Sequence, residues 1–370
     1  MSAKGLTFDA LWADPLCSPT RATILTGRYG FRTGVLGTNP NINGAIPLTE
    51  TSIQKYLTDH SAYKSAVIGK WHLSNSANGG ADNPKNMGVE YFAGLLGASH
   101  DVPDQNYSNW TLTKNGVTST VTEYSTTYFT NEAINWIGQQ KTPWFLWLSY
   151  TAPHTPFHLP PAGLHTQSLS GTAADIDANP RNYYFATLEA LDTEMGRLLN
   201  AVDRQNAIII FIGDNGSPSR VVQSPYVPGR AKGTLYQGGI HLPLIVSGTG
   251  VTRAGAREAA LINTTDLFST VADLAGTGLT TMPDSQSFKG LLTGGSIQKR
   301  AFAYSEVSQD PTVGWAIRNE KYKLIDLGGV QALYNLVADP YENNNLILSG
   351  TSEDTTAKAA LQNIANNVRQ

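Results

Sequence analysis

Short apolar runs alternate with longer amphipathic segments along most of this chain. The apolar runs predict strands at Ser65–Gly69, Trp144–Tyr150, Ala207–Gly213 and Leu242–Ser247. The amphipathic segments predict helices at Thr20–Thr26, Ser52–His60, Thr127–Gln139, Arg181–Asp203 and Thr265–Ala275. Strands that alternate with helices are typical of a sheet that is covered by helices on both faces. We therefore expect an α/β/α sandwich with a large mixed, mostly parallel sheet.

One of these runs is more apolar than the others. Ala207–Gly213 reads AIIIFIG and contains no polar side chain. An unbroken run of β-branched residues indicates a strand that is buried on both faces. We expect this strand in the middle of the sheet.

The pattern changes near residues 296–300. Beyond that point short strands with tight turns are predicted at Phe302–Val307, Val313–Arg318 and Lys321–Asp326, followed by a helix at Thr355–Val368. This succession indicates a small antiparallel sheet closed by a helix. We expect a catalytic α/β domain over residues 1–298 and a C-terminal α+β subdomain over residues 299–370.

Composition excludes several classes of function. Across 370 residues, 26 Lys and Arg stand against 29 Asp and Glu, a net charge of −3, and no basic block is present, so we expect no nucleic-acid partner. No stretch approaches the roughly 20 apolar residues of a membrane span, so we expect no membrane insertion. The first residues do not resemble a signal peptide, which leaves exported and cytoplasmic locations open.

The single cysteine is the first candidate for chemistry. Cys17 precedes a predicted helix and lies four residues before Arg21. A helix N-terminus and a nearby cation favour the thiolate, so a nucleophile is one interpretation. A lone cysteine is more often a buried structural residue, and the spacing alone does not decide between the two.

The residues around Cys17 carry a family resemblance. Residues 17–22 read CSPTRA and residues 25–28 read LTGR. This segment resembles the C-x-P-[ST]-R-A and L-T-G-R signature of the type I sulfatases, which belong to the alkaline phosphatase superfamily. The resemblance implies that a separate maturation enzyme oxidises the cysteine to formylglycine, an aldehyde whose hydrate supplies the attacking oxygen.

Further segments resemble the same family in the same order. They read GKWHL at 69–73, APHTP at 152–156, IGDNG at 212–216, KGTLYQGGI at 232–240, and LYNL at 333–336 followed by Asp, Pro, Glu, Asn and Leu up to residue 346. The resemblance therefore runs from about Leu6 to Leu346. It implies an alkaline-phosphatase-like fold and an arylsulfatase-like hydrolase, and ligands of such sheets bind beyond the carboxyl ends of the strands.

Cleavage of a sulfate monoester requires cations on the sulfuryl oxygens, an in-line nucleophile and an acid for the leaving oxygen. The resemblance implies that Arg21 holds the hydrate at position 17 and that Lys70 and Lys232 bind the sulfate. His154, together with Lys232, would protonate the leaving oxygen. His72 would take a proton from the second hydroxyl of the hydrate. Lys70 and His72 are two residues apart, so an extended segment would direct both to one side.

The resemblance also implies a metal site. Asp214, Asn215 and the oxygen at position 17 would bind Ca²⁺ or Mg²⁺, although Asp-Asn-Gly is by itself a common turn. The family normally opens with a strand that ends in two aspartates, and this sequence starts in the segment that follows it. We therefore expect an incomplete metal site with weak or absent metal dependence. We also expect an unpaired strand edge, where a second copy could pair to form a homo-oligomer.

Two other functions remain open. Phosphonate monoester hydrolases and phosphodiesterases of the same superfamily share the C-x-P-x-R cysteine and a similar site. The other alternative is an inactive homologue that binds sulfate esters without turnover, although retention of the site residues argues against such decay. The expected partners are a small-molecule sulfate ester and the maturation enzyme.

Overall fold

The computed structural model describes residues 1–98, 100, 104–295, 297–309, 312–348 and 350–370. These residues form two compact units. The first contains Met1–Gly44 and Ile208–Gln370, and the second contains Ala45–Ala207. The expected boundary between residues 298 and 299 falls inside the first unit and stays a prediction, and residue 296 of that stretch lies outside the described residues.

The strands alternate with helices as the sequence pattern indicates. The strands are β1 Gly5–Trp12, β2 Lys64–Lys70, β3 Tyr91–Leu95, β4 Trp110–Lys114, β5 Val117–Val121, β6 Trp144–Ser149, β7 Ile208–Ile212, β8 His241–Gly248, β9 Arg257–Glu258, β10 Ile262–Asn263, β11 Ala303–Gln309, β12 Thr312–Arg318, β13 Tyr322–Leu327 and β14 Val330–Asn335. The helices are α1 Cys17–Thr26, α2 Gly30–Thr33, α3 Ile53–His60, α4 Asn83–Asn86, α5 Ser125–Gln139, α6 Ala173–Ala178, α7 Pro180–Ala201, α8 Gln237–Ile240, α9 Asp266–Leu274 and α10 Ser352–Val368. Short 3-10 turns lie at Ser2–Lys4, Gly80–Asp82, Ser219–Val221, Pro228–Arg230 and Lys289–Thr293. Among the helices of the described residues, none combines the length and the apolar character that crossing a membrane requires.

A five-stranded mixed sheet organises the first unit. Its order is β10-β1-β8-β7, and β9 also pairs with β1. Strand β1 runs parallel to β9 and β10 but antiparallel to β8, and β8 is antiparallel to β7. The expected excess of parallel pairs therefore does not hold in this sheet, because an apolar run predicts burial and carries no information about strand direction.

Strand β1 occupies a central place that the apolar pattern did not predict. Leu6 and Phe8 are buried and pack with Leu244, Val246 and Phe288 in one core cluster. The segment alternates apolar residues with Thr7 and Asp9, a two-residue period that suits a strand.

Strand β7 lies at the end of the sheet order and not in its middle. Within its own unit β7 pairs with β8 alone, and each of its five residues is half-buried. The expectation for Ala207–Gly213 is therefore wrong in position. An apolar strand predicts that its two faces are covered, whereas the number of its strand neighbours depends on topology.

The expected small antiparallel sheet is confirmed. Strands β11, β12, β13 and β14 pair in sequence order, and α10 packs on them through Leu361 and Ala365. Thr351 and Asp354 form a capping box at the start of α10. Strand β14 extends the predicted set.

The second unit is built on another mixed sheet, with the order β5-β4-β3-β2-β6. Strands β3, β2 and β6 are parallel, whereas β4 and β5 form an antiparallel extension. Helix α5 buries Phe129 and Ala133 in the same cluster as Ile68 of β2. The mixed α/β class with a separate antiparallel sheet is thus confirmed.

Candidate active site

The predicted site residues fall into two groups, one in each unit. The first unit contains Cys17, Arg21, Asp214, Asn215 and Lys232, and the second contains Lys70, His72 and His154. Each group is described within its own unit.

Cys17 begins helix α1, a few residues after β1 ends. Its side chain is buried, and Sγ donates a hydrogen bond to Oδ1 of Asn215 over 3.2 Å. Asn215 in turn donates from Nδ2 to the carbonyl oxygen of Gly216 at 2.9 Å, which fixes the orientation of its amide. The thiol therefore contacts a side chain of the segment that follows β7.

Arg21 lies one helical turn beyond Cys17, on the same face of α1. Its side chain is 4% exposed, and a terminal guanidinium nitrogen lies 3.0 Å from Oδ2 of Asp214, which is 36% exposed. Asp214 and Asn215 come directly after the carboxyl end of β7. Two neighbouring residues of one loop thus contact two residues one turn apart on α1.

The loop that contains Lys232 is held by backbone hydrogen bonds. The amide of Lys232 donates to the carbonyl of Ser217 at 3.1 Å, and that of Gly233 donates to Pro15 at 3.0 Å. The amide of Gly216 donates to the carbonyl of Gly239 at 2.9 Å, and a Cβ on Gly216 would lie 1.9 Å from the carbonyl oxygen of Gly238. Only glycine allows this approach, which explains the second glycine of the IGDNG segment.

The donor set around Asp214 does not fit Ca²⁺ or Mg²⁺ as it stands. Ca²⁺ takes six to eight oxygens and Mg²⁺ about six. Here Asp214 is paired with Arg21, and the amide oxygen of Asn215 accepts from Cys17. Within the described parts of the chain, no three His, Cys, Asp or Glu side chains come together as metal ligands. Asp9, which lies upstream of Cys17, forms an ion pair with Arg257.

A pair of buried carboxyl groups, Asp14 and Glu306, lies near the start of α1, and only Asp14 is close to that helix in sequence. Oδ1 of Asp14 accepts hydrogen bonds from the hydroxyl of Ser305 at 3.3 Å and from the amide of Glu306 at 3.1 Å. Burial raises the pKa of Asp14 to about 6. Burial, with the charge of Asp14 as a second cause, raises the pKa of Glu306 to about 7. Glu306 forms an ion pair with Arg369 at 3.3 Å. The sequence pattern gave no signal for this pair.

In the second unit, Lys70 is the last residue of β2 and is buried. The chain beyond it stays attached to the end of β3, because the amides of Trp71 and His72 donate to the carbonyls of Leu95 and Leu96 at 2.8 and 3.1 Å. His72 has a φ of +61°, in the left-handed region. The extended segment that was expected to direct Lys70 and His72 to one side therefore ends before His72.

His154 lies in the loop after β6. Its amide donates to the carbonyl of Thr151 at 2.9 Å. Its ring nitrogen Nδ1 lies 3.0 Å from the carbonyl oxygen of Thr155 and 3.2 Å from the Thr155 hydroxyl. The ring is therefore held at Nδ1 by the next residue of the chain.

A buried histidine, His100, lies close to this group, and nothing in the sequence pattern singles it out. Burial lowers the pKa of His100 to about 3, and the charges of His158, His154 and Lys70 lower it further. The Nε2 of His100 lies 3.2 Å from the hydroxyl of Thr151, the residue whose carbonyl accepts from the amide of His154. Only the fold brings these residues together, and no spacing in the sequence indicates it.

Comparison with known proteins gives a consistent result. A family model described as Sulfatase matches residues 1–277, and a model described as N-sulphoglucosamine sulphohydrolase, C-terminal, matches residues 231–369. The chain is 31% identical over 294 residues to an uncharacterized sulfatase, YdeN, of Escherichia coli, over 71% of this chain and 50% of that protein. It is 25% identical to arylsulfatase G of Rattus norvegicus, over 98% of this chain and 77% of that protein.

Solved structures agree in fold. The crystal structure of Ps i-CgsB in complex with k-i-k-neocarrahexaose superposes with a TM-score of 0.79 at 24% identity, covering 100% of this chain and 86% of that one. The chain thus matches nearly the whole of that structure, while it spans half of the length of the Escherichia coli relative.

Proposed function

The chain belongs to the sulfatase family, and on that premise we propose that it hydrolyses sulfate monoesters with a nucleophile made from Cys17. One observation carries the proposal. Cys17 and Arg21, one turn apart on α1, contact Asn215 and Asp214, which are adjacent in the loop after β7. Support comes from the position of Cys17 at the N-terminus of a helix, one turn before the buried Arg21.

We propose that a maturation enzyme converts Cys17 to formylglycine, which supplies a geminal diol whose oxygen attacks sulfur and which later releases sulfate by elimination. Asn215, whose amide oxygen accepts from the thiol, and Arg21 would hold this group. The aligned backbone amides at the start of α1 favour negative charge at position 17.

The cations that bind the sulfate are Lys70 and Lys232 in this proposal. The charge of Arg21 is balanced by Asp214 at 3.0 Å, so this pair adds little net positive charge for an anionic ester. A lysine offers a compact charge with three donors, which suits the tetrahedral oxygens of a sulfuryl group. We expect the loss of either lysine to raise KM as well as to lower kcat.

His154 is the proposed acid for the leaving oxygen, with Lys232 as a second donor. The contacts of Nδ1 with Thr155 leave Nε2 as the nitrogen that exchanges a proton. His72 is the proposed base that takes a proton from position 17 when sulfate departs. Its backbone is fixed by the hydrogen bond to Leu96.

No step of this proposal passes through a metal ion, because the donors at Asp214 and Asn215 are few and already engaged. We therefore expect turnover in the presence of a chelator to stay within about two-fold of turnover with added Ca²⁺ or Mg²⁺. A larger loss would show that ligands join this site from outside the described residues.

The test uses the full chain after co-expression with a formylglycine-generating enzyme. Hydrolysis of 4-nitrophenyl sulfate is compared with hydrolysis of a phosphonate monoester and of a phosphodiester bearing the same leaving group. The proposal predicts a preference for the sulfate. A preference of orders of magnitude for a phosphorus ester would replace it with a phosphonate monoester hydrolase or phosphodiesterase. Measurable affinity for sulfate esters without any turnover by modified protein would indicate a binding homologue.

A further inference from the structure

The segment that contains His154 is contacted at two points by one buried side chain. The hydroxyl of Tyr107 donates a hydrogen bond to the carbonyl oxygen of His154 at 2.7 Å. The ring of the same tyrosine stacks on the ring of His158, with centroids 4.0 Å apart and an interplanar angle of 26°. Tyr107 is 1% exposed. The four-residue interval from His154 to His158 is thus fixed at both ends by Tyr107.

His158 is itself held on both sides of its ring. Its Nδ1 lies 3.0 Å from the carbonyl oxygen of Pro156, and its Nε2 lies 3.0 Å from the hydroxyl of Tyr124. Burial lowers the pKa of His158 to about 4, so the ring is neutral near pH 7. A neutral imidazole can make both hydrogen bonds and stack on an aromatic ring at no electrostatic cost.

Tyr107 also contacts residues other than His154 and His158. His100 packs against Tyr107 with ring centroids 4.4 Å apart, and its Nε2 contacts the hydroxyls of Thr151 at 3.2 Å and Ser125 at 2.9 Å. The carbonyl of Tyr107 accepts from the amide of Ser125 at 2.8 Å. Burial keeps the pKa of Tyr107 well above its usual value, so its hydroxyl stays protonated and available to donate.

We propose that Tyr107 is a positioning residue that sets the place of the His154 ring relative to the leaving oxygen. The inference rests on the proposed role of His154 as the acid. Thr155 holds Nδ1 of the ring, and Tyr107 holds the backbone from which the ring projects. Proton transfer requires donor and acceptor at hydrogen-bond distance, and a displacement near 1 Å can cost about 10²-fold in rate.

The test is Tyr107→Phe, which removes the hydroxyl and keeps the stacked ring. Two aryl sulfates are compared, phenyl sulfate and 4-nitrophenyl sulfate. Phenolate is a poor leaving group that needs the acid, whereas 4-nitrophenolate leaves with little help. We expect kcat for phenyl sulfate to fall by about 10-fold or more with KM nearly unchanged, and kcat for 4-nitrophenyl sulfate to fall by less than about three-fold.

The matched control is Tyr183→Phe. Tyr183 is buried in the same unit, and its hydroxyl accepts from the amide of Gly171 and donates to Asp175, away from the His154 loop. Loss of this hydroxyl is expected to lower stability without changing the ratio of the two rates. A second variant, His158→Phe, keeps a ring for stacking and loses both hydrogen bonds, and should shift the ratio in the same direction by a smaller factor.

A double variant separates positioning from a general loss of structure. In a His154→Ala background, Tyr107→Phe should change neither rate by more than about two-fold, since the acid that it places is gone. Equal losses on both esters, or full additivity with His154→Ala, would overturn the role of Tyr107 while leaving the sulfatase proposal intact. Failure of fully modified wild-type protein to hydrolyse either ester would overturn the proposed function and this role with it.

Discussion

The two groups of candidate residues are held in place in different ways. In the first unit, side chains contact side chains: Cys17 bonds to Asn215, and the buried Arg21 pairs with Asp214. In the second unit, backbone hydrogen bonds fix Lys70 and His72 at the ends of β2 and β3, and stacked rings fix the loop of His154. In the proposed mechanism, the first arrangement holds the nucleophile, and the second holds His154 and His72, which exchange protons.

The two groups also differ in how their charges are balanced. A buried guanidinium without a counter-ion is costly, and Asp214 removes most of that cost. Around His100 burial lowers the pKa of the ring, and the charge of Lys70 lowers it further. In the proposed mechanism, Cys17 and Arg21 of the first group serve the covalent chemistry. Anion binding and proton transfer fall to Lys232 of the first group and to Lys70, His72 and His154 of the second.

The largest expected effect is at Cys17. Cys17→Ala removes the only cysteine and with it the precursor of the nucleophile. We expect turnover of 4-nitrophenyl sulfate to fall by roughly 10⁴-fold or more. The midpoint of thermal unfolding should change by only a few degrees, since a thiol is a weak hydrogen-bond donor to Asn215. Turnover within ten-fold of the wild type would show that the nucleophile lies elsewhere.

The next largest effect concerns the second group. His154→Ala should lower kcat for phenyl sulfate by about 10²–10³-fold and affect 4-nitrophenyl sulfate far less, because general acid catalysis matters most for the poorer leaving group. The matched control is His60→Ala, an exposed histidine on α3 whose Nδ1 contacts the carbonyl of Tyr56. If both esters lose activity equally, His154 is not the acid.

Local sequence patterns predicted several strands and the spacing of two site residues. Burial is a local property of the sequence, so it predicts strands β2, β6, β7 and β8. Helix periodicity is also local, so it predicts that Cys17 and Arg21 lie one turn apart. Strand β1 was not predicted, because Thr7 and Asp9 interrupt its apolar residues and leave no continuous apolar run. The central place expected for β7 was wrong because strand order is not encoded in a single run.

Contacts between residues that are far apart in sequence were harder to predict. Tyr107 and His158 lie far apart in sequence and meet only after β4, α5 and the loop after β6 have packed. The carboxyl pair of Asp14 and Glu306 joins positions 292 residues apart. No periodicity connects such positions, so their hydrogen bonds can be found only in the folded chain.

A moderate effect on stability is expected at the ion pair of the first group. Asp214→Asn keeps the shape and removes the charge that balances Arg21, which is 4% exposed. We expect the free energy of unfolding to fall by about 1–3 kcal/mol, measured by urea denaturation. The control Asp59→Asn breaks an exposed pair with Lys55 and should cost less than about 1 kcal/mol. Equal effects of the two variants would mean that burial of Arg21 does not depend on its partner.

A further effect is predicted on the pH dependence of stability. Asp14 and Glu306 have pKa values of about 6 and about 7, above those of the unfolded chain. The folded protein therefore binds protons more tightly, so the free energy of unfolding falls as pH rises from about 4 to 7. Asp14→Asn removes one titration and the charge that repels Glu306, and should reduce this fall by roughly half. Urea denaturation at several pH values measures it, and an unchanged slope would contradict the prediction.

The most direct test of the central claim is mass spectrometry of the peptide that contains Cys17, made on protein that hydrolyses 4-nitrophenyl sulfate in the presence of a chelator. The account predicts that residue 17 has lost one sulfur and two hydrogens and gained one oxygen, in proportion to the measured activity. Full activity with an unmodified cysteine at position 17 would contradict it.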